Sequence, residues 1–266
     1  MTFANTLCIV RGGGDLATGV VHRLRCAGLR VIVLELEQPR VVRRMASLAQ
    51  AMYSGQFAVG DLVAKRMTLP EAAEATESDA IPVIADSVGA SVPVLRPSIV
   101  VDARMAKAPL DTAIDAAPFV VGLGPGFTAG VHCHAVVETN RGHYLGHVIW
   151  QGSAQPNTGQ PEAVMGVVGE RVLRAPVSGV LQAHRQIGEL VGQGEAIASV
   201  DGHTVCAPFG GALRGLLYDG LPVAAEEKIG DLDPRRRRDY CFTISDKALA
   251  VGGGVLEAVL VWLRKR

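Results

Sequence analysis

The sequence predicts an α/β protein with a parallel β-sheet covered by helices, then a small duplicated β-domain and a C-terminal helix. Three observations favour this class. Hydrophobic residues make up 48% of the chain but aromatic residues only 5%, which is typical of parallel sheets buried on both faces. A strand–glycine loop–helix–strand pattern opens the chain, and a later segment repeats itself at a fixed interval.

The first strand–helix–strand unit is predicted within residues 6–36. Residues 6–10 form an apolar run typical of a strand, and three consecutive glycines at 12–14 interrupt it. Asp15 is suited to cap a helix that ends at Gly28, and residues 30–36 have the pattern of a second strand. The connection makes these two strands parallel.

Further helices and strands are predicted between residues 41 and 150. The pattern predicts helices at 41–53 and 70–76, and buried strands at 81–85, 98–102 and 118–122. A hairpin is predicted from 135–139 and 144–150, joined at Asn140-Arg141-Gly142. The polar segment 151–161 is interpreted as a linker that closes the first domain.

A duplication follows the linker. Ala175-Pro176 recurs as Ala207-Pro208, and five further pairs keep the same 32-residue spacing. These pairs are Gly179/Gly211, Leu181/Leu213, Gly188/Gly220, Val191/Val223 and Ile197/Ile229. Two such halves, related by a pseudo-two-fold axis, would bury each other's apolar faces.

The repeat resembles biotinyl and lipoyl carrier barrels, in which a lysine lies on the hairpin between the halves. Here residues 199–204 occupy that hairpin and contain no lysine, so the sequence predicts an unmodified barrel. The expected domains are 1–165, the barrel at 166–233, and a C-terminal segment at 234–266 whose helix packs on the first domain.

Composition argues against several classes of protein. Lysine plus arginine and aspartate plus glutamate both number 26, so no nucleic-acid partner is expected; the basic run at 235–238 is interpreted as a solvated linker. No basic region precedes the short apolar stretch at 7–10, and glycines interrupt the one at 248–263, so neither secretion nor a membrane span is expected. Five cysteines without CxxC spacing suggest reduced thiols in a cytoplasmic protein without a metal site. Cys8 and Cys26 fit core positions.

The first glycine loop is the leading candidate for ligand binding. It satisfies the pattern G-x-G-x-x-A through Gly12, Gly14 and Ala17, with Gly13 between the two glycines. Glu35 ends the next strand, where an acid accepts hydrogen bonds from a ribose. Asp15 argues against a plain dinucleotide site, because its carboxylate lies where an anion would enter. A tight turn in a nucleotide-free domain is the alternative.

A second glycine-rich loop follows the strand at 118–122. Loops after parallel strands gather at one edge of a sheet, so this loop and Asp102, at the end of its own strand, suggest a shared pocket. Arg104 and Lys107 could meet a phosphate there, although the glycines could also simply form a sharp turn. The three glycines are Gly122, Gly124 and Gly126.

Cys133 is the candidate catalytic residue. It lies between His132 and His134, and His143 and His147 follow on the predicted hairpin. A neighbouring imidazolium could lower the pKa of its thiol. If the segment is extended, the first two histidines face away from the cysteine and do not form one ligand set with it. The alternative is a small buried cysteine beside histidines on a polar sheet face.

Several segments of the chain form one recognisable combination. They are 11–19, 122–127, 138–143, Leu145-Gly146, 157–159 and the Ala-Pro repeat. Together they resemble the YqeB-type family of selenium-dependent molybdenum hydroxylase accessory proteins. A looser likeness is to xanthine dehydrogenase accessory factors, which resemble Rossmann domains that hold the molybdenum cofactor. His132 departs from the family pattern, which has an acid there, and this weakens any role carried over to that position.

The resemblance implies a Rossmann-like domain and a maturation factor for a molybdenum hydroxylase of the xanthine dehydrogenase kind. Its ligand would be a phosphorylated, dinucleotide-like cofactor such as molybdopterin cytosine dinucleotide, and its task would concern a sulfur or selenium ligand. Two other classes stay open: an NAD(P)-dependent oxidoreductase that uses Glu35, and a non-catalytic scaffold that docks a hydroxylase. The sequence has no evident acid–base pair, so whether the protein is an enzyme stays open. Whether it forms a homo-oligomer stays open as well.

Overall fold

The computed structural model describes residues 3, 5–76, 79–105, 111–156, 164–167 and 169–265. These divide into two compact units, both discontinuous in sequence. The first comprises residues 1–39, 48–157 and 244–266, and the second comprises 40–47 and 158–243. Lys107 and the segment 157–159 lie outside the described residues, as does part of the predicted linker at 151–161.

The first unit holds eleven of the described strands and five described helices. The strands are β1 (Leu7–Arg11), β2 (Arg30–Glu35), β3 (Gln56–Val59), β4 (Leu62–Arg66), β5 (Ile81–Ala85), β6 (Ile99–Asp102), β7 (Phe119–Leu123), β8 (Thr128–Ala129), β9 (Ala135–Val137), β10 (Val148–Ile149) and β11 (Gly152–Ser153). The helices are α1 (Asp15–Cys26), α2 (Ala51–Ser54), α3 (Leu69–Glu74), α4 (Val92–Leu95) and α5 (Asp246–Arg264).

Nine strands form one mixed sheet in the order β10-β9-β7-β6-β1-β2-β5-β4-β3. The predicted parallel pairing of β1 with β2 is confirmed. All other neighbouring pairs in the run β9-β7-β6-β1-β2-β5-β4 of the sheet are parallel as well. Both edges are antiparallel hairpins, β3–β4 and β9–β10. A separate two-stranded sheet pairs β8 with β11.

The prediction of a Rossmann-like domain is wrong, for two reasons. The sheet is mixed, and β7 passes to its parallel neighbour β9 without a helix in the connection. The helix expected at 41–53 is replaced by two 3₁₀ turns and the single-turn α2. A hairpin at 56–66, which the sequence analysis missed, turns at Gly60-Asp61 and supplies one antiparallel edge.

Alternate residues of the central strands face two separate cores. Cys8 and Val10 point to the side that α1 and α5 cover, whereas Ile9 points to the other side. That second side is closed by residues such as Ala72 of α3 and Phe127. Burial on both faces explains why these strands read as continuous apolar runs.

Helix α5 packs closely on α1 through glycines. A Cβ on Gly19 would overlap the backbone of Ala248, and a Cβ on Gly252 would overlap the carbonyl of Gly19. The absence of side chains at these positions lets the two backbones approach. Among the described residues, no helix combines the length and the apolar character needed to cross a membrane.

The second unit is built from the repeat. Its strands form two four-stranded antiparallel sheets, β12-β19-β17-β14 and β16-β15-β13-β18. The strands are β12 (Val172–Arg174), β13 (Gly179–Ala183), β14 (Leu190–Val191), β15 (Ala196–Val200), β16 (His203–Cys206), β17 (Gly211–Leu216), β18 (Pro222–Val223) and β19 (Lys228–Asp233).

The duplication seen in the sequence maps one of these sheets onto the other. The 32-residue spacing relates β13 to β17, β14 to β18 and β15 to β19, and β12 overlaps β16. The repeated pairs Leu181/Leu213 and Ile197/Ile229 are fully buried between the two halves. The predicted lipoyl- or biotinyl-like barrel is corrected to this pair of small antiparallel sheets, because alternating apolar strands can close a core in either way.

Candidate functional site

The candidate site lies at the carboxyl edge of the mixed sheet. Strand β1 is the centre of the sheet: the chain leaves it for β2 on one side and later returns as β6 on the other. Such a reversal leaves a gap between the loops that follow the two strands, where ligands bind in open α/β sheets. Here the flanking segments are the first glycine loop, after β1, and residues 102–105, which comprise the last residue of β6 and the three that follow it.

The first glycine loop is tied to its surroundings by its own backbone. Gly12 has a φ of +95°, which favours glycine, and its N–H donates to the Leu34 carbonyl at 2.7 Å. The N–H of Gly13 donates to Glu35 Oε2 at 2.7 Å, and the carbonyl of Gly13 accepts from Ala49 at 2.9 Å. The first two N–H groups of the loop are thus engaged within the protein.

Helix α1 begins one residue earlier than predicted. Gly14 is the N-cap and Asp15 is the first helical residue, so the expected capping role of Asp15 is corrected. Asp15 still lies in the first turn, where a carboxylate interacts favourably with the helix dipole. Ala17 is buried in the core, so its side chain is not accessible at the loop.

Glu35 joins the glycine loop, as its position at the end of β2 predicts, but as a structural acceptor. Its carboxylate is buried and accepts hydrogen bonds at 2.7 Å from both Gly13 and Leu36. Burial raises the pKa of Glu35, and the two backbone hydrogen bonds oppose that change. Both carboxylate oxygens therefore accept hydrogen bonds from the protein's own backbone.

Asp102 holds Arg104 at the end of β6. The Asp102 carboxylate is fully buried and accepts from Arg104 Nε at 3.1 Å, from Arg104 Nη2 at 2.6 Å and from the Thr112 hydroxyl at 2.5 Å. The Arg104 backbone lies next to Gly12, where an added Cβ would be 3.2 Å from the Arg104 Cα. The structure therefore brings the predicted Asp102 and Arg104 to the first glycine loop.

Arg11 is a second guanidinium at the same place, and the sequence analysis missed it. It ends β1 directly before the glycines, and only 5% of its surface is exposed. It donates to the Thr112 hydroxyl at 2.7 Å and to both carboxylate oxygens of Asp111 at 3.0 Å. Arg104 Nη2 also contacts Asp111, at 2.6 Å. The signal in the sequence was a charged residue that ends an otherwise apolar strand.

The second glycine loop is shaped by its own packing. A Cβ on Gly122 would collide with the Phe127 ring, and one on Gly124 would overlap the Thr139 hydroxyl. Gly124 and Gly126 also have positive φ values of 69° and 105°. Local turn geometry is therefore enough to account for these glycines, although Gly124 does lie near Met105, which follows Arg104.

Cys133 lies in the apolar core beside that loop. Its side chain is fully buried, and burial raises the pKa of the thiol to about 11 although backbone hydrogen bonds oppose that change. His132 and His134 each accept a backbone N–H at 3.0 Å, from Thr128 and Val120. This environment disfavours a thiolate, so the catalytic role of Cys133 stays a prediction without support from the geometry. No group of three potential metal ligands occurs among the described residues.

An open cavity of about 550 Å³ lies at the opposite edge of the sheet. Cys26, Asp61 and Ile81 are among its lining residues. Cys26 is exposed there, 3.8 Å from His22 Nε2, so its predicted core position is corrected. We favour the carboxyl edge as the binding site, because the glycine loop and both guanidinium groups meet there.

Fold and site together define an α/β protein with a mixed sheet and a glycine-rich carboxyl edge at which two arginines pair with Asp102 and Asp111. No protein-family model matches the chain. The chain is 47% identical over 260 residues to the uncharacterized protein YqeB of Escherichia coli K12, which supports the resemblance to YqeB-type proteins. The match covers 97% of this chain but 48% of that relative, so the chain spans about half the length of the curated relative it matches.

Two solved structures show weak similarity. One is a succinylglutamate desuccinylase/aspartoacylase from Rhodobacter sphaeroides, 16% identical, with a TM-score of 0.23 over 54% of this chain and 60% of that one. The other is an aspartoacylase family protein from Mesorhizobium loti, 11% identical, with a TM-score of 0.29 over 87% and 86% of the two chains. TM-scores this low establish no shared fold.

Proposed function

We propose that the chain is an accessory protein for molybdenum hydroxylases that holds a phosphorylated, dinucleotide-like ligand at the carboxyl edge of its mixed sheet. The observation that carries the proposal is the meeting of Arg11 and Arg104 beside the Gly12–Gly14 loop, where the strand order reverses. Guanidinium groups bind phosphate in a fork geometry, and ligands enter open α/β sheets at such reversals.

The nature of the ligand follows from the same groups. Two arginines at one place suit a diphosphate better than a single carboxylate. The resemblance to YqeB-type accessory proteins adds the biological setting. In that setting the ligand is a molybdenum cofactor such as molybdopterin cytosine dinucleotide, and the partner is a hydroxylase that receives a sulfur or selenium ligand.

An NAD(P)-dependent oxidoreductase is the second candidate, favoured by the position of Glu35 after β2. Both of its carboxylate oxygens already accept backbone N–H groups, which weakens the case for a ribose contact. Thermal shifts with cytidine diphosphate and with NAD(P) separate the candidates, since a bound ligand raises the melting temperature by mass action. A shift with NAD(P) alone would favour the oxidoreductase.

The biological role is tested in cells with and without the protein. We expect loss of the protein to lower hydroxylase activity per mole of purified enzyme, together with its terminal sulfur or selenium content. The amount of hydroxylase polypeptide should stay the same, because a maturation factor acts on a folded target. Unchanged specific activity and metal-site composition would reject the accessory role and leave the scaffold or oxidoreductase alternatives.

A further inference from the structure

Asp111 occupies the space between the two arginines of the candidate site. Arg11 reaches both of its carboxylate oxygens at 3.0 Å, and Arg104 Nη2 reaches one of them at 2.6 Å. Two guanidinium groups thus converge on one carboxylate. That carboxylate belongs to a loop residue, Asp111, which is not part of the sheet. This is the arrangement with which arginines bind the oxygens of a phosphate or carboxylate ligand.

The two arginines differ in how they depend on Asp111. Arg104 keeps a second carboxylate partner, the buried Asp102, which orients its guanidinium through Nε and Nη2. Among the described residues, Asp111 is the one carboxylate that contacts Arg11. A guanidinium as buried as that of Arg11 requires an anion beside it.

Asp111 itself is accessible, because 49% of its side chain is exposed. The carboxylate therefore lies between a buried cationic group and solvent, where an incoming anion can reach it. Although partial burial alone would raise the pKa of Asp111, hydrogen bonds from Arg11 and Arg104 lower it to about 2. At neutral pH Asp111 is therefore ionised, and an anionic ligand must compete with its carboxylate for the two arginines.

We propose that Asp111 is an internal stand-in for the ligand's anionic group, and that a phosphate of the ligand displaces it to bind Arg11 and Arg104. This inference rests on the proposed function for its ligand class and identifies the subsite that takes the phosphate. Asp111 then weakens the binding of simple anions, so that a ligand needs contacts beyond its phosphate to enter.

The test compares pyrophosphate binding to the full chain and to Asp111→Asn by calorimetry at neutral pH. Asparagine keeps the size of the side chain but removes the competing charge. We expect at least tenfold tighter binding of pyrophosphate by the variant. Asp239→Asn is the matched control, because it removes the same charge from an exposed aspartate that pairs with Arg237, and it should bind as the wild type does.

Arg11→Gln combined with Asp111→Asn tests the cationic half of the subsite, and this pair should lose the gain. Asp111→Ser serves as a second charge-removing variant if Asp111→Asn does not show a wild-type circular dichroism spectrum. Equal or weaker pyrophosphate binding by the folded variant, or a gain that survives Arg11→Gln, would overturn the inference. The hydroxylase experiment is independent of this result: a tenfold gain with unchanged hydroxylase activity would keep the subsite and reject the proposed function.

Discussion

The cysteines show how strongly one residue's surroundings set its chemistry. Cys133 is fully buried with the pKa of its thiol raised to about 11, whereas Cys26 is exposed beside His22. Thiolates react with alkylating reagents and thiols do not. The burial of Cys133 and the raised pKa of its thiol therefore both slow its alkylation.

We therefore expect iodoacetamide at pH 7.5 to label Cys26 at least tenfold faster than Cys133 in the folded protein. Peptide mapping by mass spectrometry after timed quenching measures both rates. Cys8, which is fully buried and whose thiol pKa is also raised by burial, is the internal control and should be labelled as slowly as Cys133. Labelling of Cys133 as fast as Cys26 would restore it as a candidate nucleophile.

The candidate site could be predicted in part at the level of single residues. The pattern placed Gly12, Gly14 and Glu35 together, and the structure brings Glu35 to the loop. It could not place Arg11 beside Asp111, because 100 positions separate them and no local pattern relates them. Sequence periodicity reports which face of an element is buried, but it does not report which side chains from distant loops meet.

At the level of elements, the packing of α5 on α1 depends on individual glycines. Gly252 faces Gly19, and an added Cβ would overlap its carbonyl, whereas a Cβ on the next residue, Gly253, would meet nothing within 4 Å. The two positions lie in one helix and differ in what covers them.

We expect Gly252→Ala to destabilise the protein by about 1–3 kcal/mol, because the extra methyl group forces two backbones apart. Gly253→Ala is the matched control: in an open helical position it should be neutral or stabilise by about 0.5–1 kcal/mol, since alanine favours the helix. Urea denaturation followed by circular dichroism measures both changes. Similar effects of the two substitutions would show that α5 does not pack on α1 in this way.

Element prediction worked where the local signal is strong. The predicted strands at 30–36, 81–85 and 98–102 match β2, β5 and β6 within one residue. The residues between 41 and 66 were misread, because a helix-like spacing of apolar residues was interrupted by turns and a short hairpin. The parallel core and the antiparallel hairpin within 135–150 were both expected, and β9 and β10 form that hairpin. The β3–β4 hairpin at the other edge was not expected.

At the scale of the whole molecule, the main consequence of the fold is that both units are discontinuous in sequence. Residues 244–266 belong to the same unit as β1, although more than 200 positions separate them. Helix α5 buries Val251, Val255 and Val259 completely in the core on one face of the sheet. The sequence analysis expected this helix to pack on the first domain, and α5 belongs to the first unit.

Removal of α5 should therefore unfold the first unit. Each buried valine contributes about 1.5–3 kcal/mol, and several of them together approach the whole stability of a domain, roughly 5–15 kcal/mol. A chain that ends after Thr243 should lose hydrogen-exchange protection in β1 and β2, measured by mass spectrometry, whereas β15 and β17 of the second unit should stay protected. A chain that ends after Arg264 keeps the whole of α5 and should behave as the wild type does. If β1 and β2 stay protected in the shorter chain, the first unit is complete without its C-terminal helix.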